Sequence, residues 1–521
     1  MSYRFLNHLV ALYEAVRKTP NNIVFKVPSG GVNEDGWKDI TYQQLWDDIT
    51  RFAVYWSHLE GFKTAEDSKT GVRRRPVVGL WTTCKTYTDV IRVFSLQRAG
   101  YALHLMSPYF ENVDLVQNLF KQSGAGVVVC DTNNVKGWEE LEKNNAGLRV
   151  IPLLTDGEVA KIIERSPTVP ELNALPSLED GEEDDILFIV QTSGSTSGVP
   201  KLVTRTRRSI DAIAQKWLKE GRRTPIFLRR GFFSYHHSLR IFLYADCMIL
   251  TPKPIWEINE LPNFIAQCGV TDITLRPTAM QDVIEKAKTS PWLSEKLRTL
   301  NSFVYGGAPL GKQAIESAKE MGIKITCLLS STEAGLLMVS EPGEPHLLKL
   351  CNQFDYEFIP IKDPNGNDSK WKELVILPTS PDCPSPALRN PADGKFYTKD
   401  LFEAVGDGYY LSRGRKDDII IMDASNCDAK YIEGQIAHLC HDIISTFTLV
   451  GQGRLSPALL VEPLEPNTNA NTLRETLSTR LESLNSPRIV SYPHERLKPE
   501  YIIVVPKGSL PISPAGEHGE D

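Results

Sequence analysis

The chain has 521 residues, 41% hydrophobic and 24% charged, the profile of a soluble globular protein long enough to bury several cores. Its 58 Lys and Arg against 65 Asp and Glu leave a formal net charge of −7, which argues against broad electrostatic affinity for nucleic acid or anionic lipid. Nine scattered cysteines point to reduced thiols in a cytoplasmic setting, and no run approaches the ~18 apolar residues that span a membrane.

Leu6, Leu9, Val10, Tyr13 and Val16 recur at helical spacing, which predicts an amphipathic surface helix where a signal peptide would show a long apolar run. Arg73, Arg74 and Arg75 sit in a polar stretch that reads as a solvated loop. Residues 76–82 read as a buried strand, 89–99 as a helix, and 125–130 and 186–191 as further strands; 270–275 and 303–305 continue the series. Alternation of this kind predicts an α/β fold with largely parallel sheets. Residues 177–185 (SLEDGEEDD) form an acidic, exposed connector, and 363–369 a turn-rich loop. The polar segment SRGRKDD, starting at Ser412, separates a large α/β body from about a hundred residues with their own strand and helix signals, enough for a small second domain.

The strongest local signal is QTSGSTSGVPK, from Gln191 to Lys201, directly after an apolar strand. Glycines and small hydroxyl residues present backbone N–H groups at little steric cost, so such a loop wraps phosphate oxygens closely, and Lys201 adds a positive charge. The spacing fits neither a Walker A loop nor a dinucleotide GxGxxG fingerprint.

This loop resembles the signature of the adenylate-forming superfamily of acyl- and aryl-CoA synthetases, peptide-synthetase adenylation domains and luciferases. The match runs through Thr192, Ser193, Gly194, Ser195, Thr196, Gly198, Pro200 and Lys201. The resemblance implies that the loop holds the β- and γ-phosphates of ATP. SSTEAG, from Ser330 to Gly335, resembles the second nucleotide motif, with Ser331 beside Thr332 on the α-phosphate and Glu333 on Mg²⁺; Leu329 stands where the family carries an aromatic residue. FYTKDLFE and the following GRKDD resemble the ribose-binding and hinge motifs, which assigns Asp400 to the ribose hydroxyls, Arg415 to ribose or phosphate, and Asp417 to the hinge. YGGAPL places Gly307 and Ala308 beside the adenine and acyl pocket.

FFSYHHSL resembles the aromatic–His motif that borders the acid pocket, with His236 or His237 near the substrate carboxylate. Members that activate amino acids carry an Asp here for the α-ammonium, and none lies between Gly231 and Tyr244. The implied substrate is therefore an aryl or other hydrophobic acid without an α-amino group. His438 and His441 lack a second ligand cluster and read as helix packing. The family's C-terminal motif carries a lysine that reaches the acid; here the segment is LPISPAG, with Ala515 or its successors in that place and no lysine after Lys507.

The resemblance thus implies an N-terminal adenylation core over 1–412 with parallel-type sheets and a barrel-like subdomain, a hinge at 413–417, and a small mobile α+β domain over 418–521. The implied reaction forms acyl-AMP from ATP and a carboxylic acid and then transfers the acyl group to a thiol, either CoA or a phosphopantetheine carrier domain. The pattern is most like the adenylation domain of fungal peptide-synthetase-like enzymes and carboxylic acid reductases. A free-standing CoA ligase and a nucleotide-holding module without turnover stand as alternatives.

Overall fold

The computed structural model describes residues 4–29, 36–58, 65–66, 73–82, 86–106, 113–133, 138–143, 148–192, 200–230, 234–253, 255–307, 309–351, 355–362, 368–417, 419–421, 426–451, 454, 456–482 and 497–510. It is a mixed α/β protein with two compact units, one made of Met1–Thr274 with Ser331–Leu336, the other of Leu275–Ser330 with Leu337–Asp521. Among the described residues no helix is long and apolar enough to cross a membrane.

In the first unit a six-stranded sheet runs in the order Leu202–Thr206, Ile186–Gln191, Ala102–Met106, Val77–Trp81, Val127–Cys130, Arg149–Pro152. All neighbours are parallel except the first pair, which is antiparallel. Val127–Cys130 is buried along its whole length, as expected of a parallel strand covered on both faces. The helix expected from residue 89 begins earlier, at Tyr87, because Thr86 and Asp89 form a reciprocal capping box. Elsewhere in this unit Ile226–Arg229 lies between Cys247–Ile249 and Asp272–Leu275, all parallel, and Ile23–Pro28 joins beside Cys247–Ile249.

The first helix, His8–Lys18, is capped by Asn7 and is more buried than a surface helix. The apolar spacing marks only part of its inner face. His8, Ala11 and Ala15 widen that face, so Val10 and Leu12 are almost fully enclosed.

Strands lying wholly or mainly in the second unit follow the order Tyr356–Lys362, Asp368–Ile376, Phe396–Gly406, Tyr409–Arg415, Leu347–Leu350, Gly335–Ser340, Ile325–Ser331, Ser302–Gly306. The last two are parallel, and the first five pair antiparallel in succession. Toward the C-terminus, helices Ala429–Cys440 and Ala470–Leu481 share a core with the sheet Ile444–Val450, Ala458–Pro463, Ile502–Val504. Ile432, Ile436 and Cys440 on one helix and Leu473, Leu477 and Leu481 on the other recur every four residues, which aligns each set along one buried stripe.

Candidate functional site

The phosphate-loop sequence leaves one strand and enters its antiparallel neighbour, with Gln191 opposite Leu202. At its neck the Thr192 N–H donates to the Lys201 carbonyl at 3.0 Å. The Lys201 N–H in turn donates to Thr192 Oγ1 at 3.1 Å. These two bonds join the described ends of the segment, Thr192 and Lys201, to each other. Ser193, Gly194, Ser195, Thr196 and Gly198 lie outside the described residues, as does Ala308.

Four residues after Lys201, strand alternation turns Arg205 inward, and it is 1% exposed. Its Nε donates to Tyr235 Oη at 2.9 Å, and its Nη2 donates to the carbonyl of Thr332. Arg205 therefore ties the strand behind the phosphate loop to the turn that carries Thr332 and Glu333. That turn, between Ile325–Ser331 and Gly335–Ser340, is held by the Ala334 N–H donating to Ser331 Oγ at 3.0 Å. It closes on Gly335 at φ 73°, a left-handed conformation that favours glycine. A Cβ there would lie 3.3 Å from Ile213 and 3.5 Å from His236 Cε1. Thr332 is exposed and Glu333 half-buried.

His236 and His237 open the helix Tyr235–Tyr244, capped by Ser234. Successive helical residues point about 100° apart, and the two imidazoles go different ways. His236 packs on the Tyr235 ring at 4.0 Å and beside Gly335. His237 stacks on Phe227 at 5.1 Å, with Nδ1 2.9 Å from Ser234 Oγ. Loss of water holds both well below the ordinary histidine range, helped by Arg205 at His236 and Arg229 at His237. Both rings are thus neutral at pH 7, and either would act through a ring N–H or lone pair rather than a charge. Of the two, His236 is the one beside the Thr332–Glu333 turn.

In the second unit Gly306 admits no side chain, since a Cβ would come 2.7 Å from the Leu328 carbonyl oxygen. Gly307 adopts φ 100°. Asp400 and Arg415 are direct cross-strand partners, with carboxylate and guanidinium 3.6 Å apart. The pairing register shifts just after Asp400, and Lys399 before it has φ 66°. Glu373, 4% exposed, holds this irregular stretch. Its carboxylate accepts from the Lys399 N–H at 3.1 Å and from Lys416 Nζ at 3.1 Å. Asp417 pairs with Lys399 Nζ at 2.6 Å.

The AMP-binding enzyme family matches residues 12–351, and the AMP-binding enzyme C-terminal domain matches 416–517. The chain belongs to the AMP-binding enzymes. This AMP-binding enzyme is 29% identical to the AMP-binding domain-containing enzyme iboA of Amanita muscaria, across 97% of this chain and 98% of that one. It is 23% identical to a carboxylic acid reductase of Neurospora crassa, but that match spans 43% of the reductase. The 24% match to an adenylate-forming reductase of Heterobasidion annosum spans 36% of it. Among solved structures, ATP-bound MatB from Rhodopseudomonas palustris superposes with TM-score 0.70 at 16% identity, covering 98% of this chain and 97% of that one. The o-succinylbenzoate coenzyme A synthetase of Bacillus subtilis, in complex with ATP and magnesium ion, gives 0.68 at 16%, covering 97% of each. At such identity the likeness is one of fold.

Arg205 and Glu373 lie outside every motif singled out in the sequence, and Tyr235 lies within FFSYHHSL without having been given a role of its own. One signal was there to be read: a charged residue falling on the inward parity of the strand that follows the glycine- and hydroxyl-rich segment.

Proposed function

We propose that this AMP-binding enzyme uses ATP to activate a carboxylic acid without an α-amino group, forming acyl-AMP and releasing pyrophosphate. The acyl group then passes to a thiol, either CoA or the phosphopantetheine arm of a carrier domain, in the cytoplasm. The observation that supports this reading most is the Arg205 tether. It joins the strand behind the phosphate loop to the Thr332–Glu333 turn, so the loop assigned to the β- and γ-phosphates and the turn assigned to the α-phosphate share one rigid support.

In this reading the loop and Lys201 bind the triphosphate tail, and Thr332 orients the α-phosphate. Neutral His236 offers the acid carboxylate a ring hydrogen bond without stabilising it so strongly that attack is suppressed. Asp400 accepts from the ribose hydroxyls, with Arg415 beside it. Glu333, a half-buried carboxylate next to phosphate-binding groups, fits the oxygen-donor preference of Mg²⁺. When bound, that ion neutralises phosphate charge. The segment 413–417 serves as hinge and 418–521 as the mobile small domain, so that its rotation separates adenylation from thiol transfer.

The test is acid-dependent pyrophosphate release across benzoic, cinnamic, fatty and α-amino acids, with and without CoA. Release with a non-amino acid is the expected result, and acyl-CoA product identifies CoA as the acceptor. Preference for an α-amino acid overturns the substrate assignment. ATP binding without release for any acid overturns the reaction and favours a nucleotide-holding module, a reading that the absent C-terminal lysine motivates.

A further inference from the structure

A guanidinium at 1% exposure ordinarily faces a carboxylate, because an uncompensated buried charge is costly. Arg205 does not. Its partners are a phenol oxygen and a peptide carbonyl, and among the described residues no carboxylate lies within salt-bridge distance of it. A neutral donor such as glutamine would tether Thr332 without that cost, so the tether alone does not account for the charge. Two neighbours do: the Thr332 carbonyl on one side and the neutral His236 on the other. If the proposed function holds, these are the places of the α-phosphate and of the acid carboxylate.

We infer that Arg205 is the fixed internal cation of the adenylation step, a positioning residue that holds the Thr332 turn and whose charge, facing no carboxylate among the described residues, favours the negative charge gathering between acid and α-phosphate. In that step a carboxylate oxygen bonds to the α-phosphorus while the bond from that phosphorus to the pyrophosphate bridging oxygen breaks. Pyrophosphate leaves with the electron pair, and no proton transfer is needed. Two anions approach each other, so a preorganised cation that water cannot screen acts where it matters most. The sequence supplies a reason for such a device. The family's mobile lysine is missing from LPISPAG, where Ala515 or its successors stand, and a cation in the body of the enzyme would take over part of its electrostatic role.

The experiment compares Arg205→Gln and Arg205→Lys with the unaltered protein, reading kcat and KM for acid-dependent pyrophosphate release, ATP Kd by calorimetry, and unfolding temperature. The inference expects Arg205→Gln to lower kcat about 100-fold with ATP Kd changed less than about threefold, and Arg205→Lys, which keeps the charge, to stay within about tenfold. Equal losses in both variants, together with weakened ATP binding and a lower unfolding temperature, mark a merely structural strut and overturn the inference, as does full activity in Arg205→Gln. Should Arg205→Gln not fold, Arg205→Lys decides alone, a hundredfold loss overturning the inference and retention within tenfold supporting it. No release by the unaltered protein with any acid is a separate outcome that sinks the proposed function and this inference with it.

Discussion

His8 makes the architecture around the histidine motif testable by acid. It is 1% exposed, packed among the rings of Phe94, Phe188 and Tyr235 at 5.5, 5.2 and 6.3 Å. Its Nε2–H donates to the Tyr235 carbonyl at 2.7 Å, at the start of the helix that carries His236. Burial lowers it from 6.5 to about 4, outweighing the opposing carbonyl contact. The folded state therefore resists protonation while the unfolded chain accepts a proton near 6.5. Stability is unaffected above that value and falls as pH drops from 6.5 toward 4. Integrating the difference in bound protons from pH 7 to pH 5 gives a loss of about 2 kcal/mol from this one group. The assay is urea unfolding followed by tryptophan fluorescence at both pH values, for the natural chain and for His8→Phe. The variant lacks the carbonyl hydrogen bond at both pH values alike, so only the difference between the two losses is read. The natural chain is expected to lose about 2 kcal/mol more than the variant between pH 7 and pH 5. Equal losses would refute the reasoning.

Other expectations follow from single interactions. Gly335→Ala forces a side chain into φ 73° and against Ile213; it should cost about 1–3 kcal/mol by chemical unfolding and displace His236. Glu333→Gln should raise the Mg²⁺ concentration needed for half-maximal pyrophosphate release by about tenfold or more, with little change in unfolding temperature. Glu373→Gln should destabilise by about 1–3 kcal/mol and raise KM for ATP more than KM for the acid, because the Lys399 N–H and Lys416 Nζ lose a charged acceptor beside Asp400. Lys399→Ala and Lys399→Gly both lose the Asp417 bridge, but only glycine relieves φ 66°; the glycine variant should be the more stable by about 1 kcal/mol in thermal unfolding.

Much of the fold was legible because hydrophobic periodicity reports burial directly. The strand at Ile186–Gln191 falls where its apolar run predicts, and Val127–Cys130 begins only two residues inside its expected span. Boundaries shift where a cap rather than hydrophobicity decides them, as at Thr86. The first helix was legible in type but not in depth, since alanine and histidine carry weak burial signals and Ala11, Ala15 and His8 complete its inner face. The motif residues stood out as a set because small residues recur in them in a fixed order, and the roles given to them remain those of the proposal. Their supports did not stand out. Glu373 looks like an ordinary charged strand residue, and only the bulge at Lys399–Asp400 reveals why a carboxylate is buried there.

Arg205 and Lys399 share a cause for that illegibility. Each breaks a local rule, one by burying a charge among neutral partners, the other by placing a long side chain at positive φ. Such violations cost stability and persist only where neighbours over-determine them. At Arg205 those neighbours are Tyr235 and Thr332. At Lys399 they are Glu373, Lys416 and Asp417; the last two reach it from the segment that follows Arg415. This second set has a mechanical consequence. A rotation at 413–417 would break the Lys399–Asp417 bridge and the 2.7 Å bond from the Lys416 N–H to the Lys399 carbonyl, while relaxing the strain those bonds hold in place. An exposed bridge is worth roughly 0–1 kcal/mol and a strained backbone residue about 1–3 kcal/mol. The bonding energy given up also includes that backbone bond and the Lys416 Nζ bond to Glu373, so the strain relieved would offset part of it and lower the cost of turning if the segment is the proposed hinge.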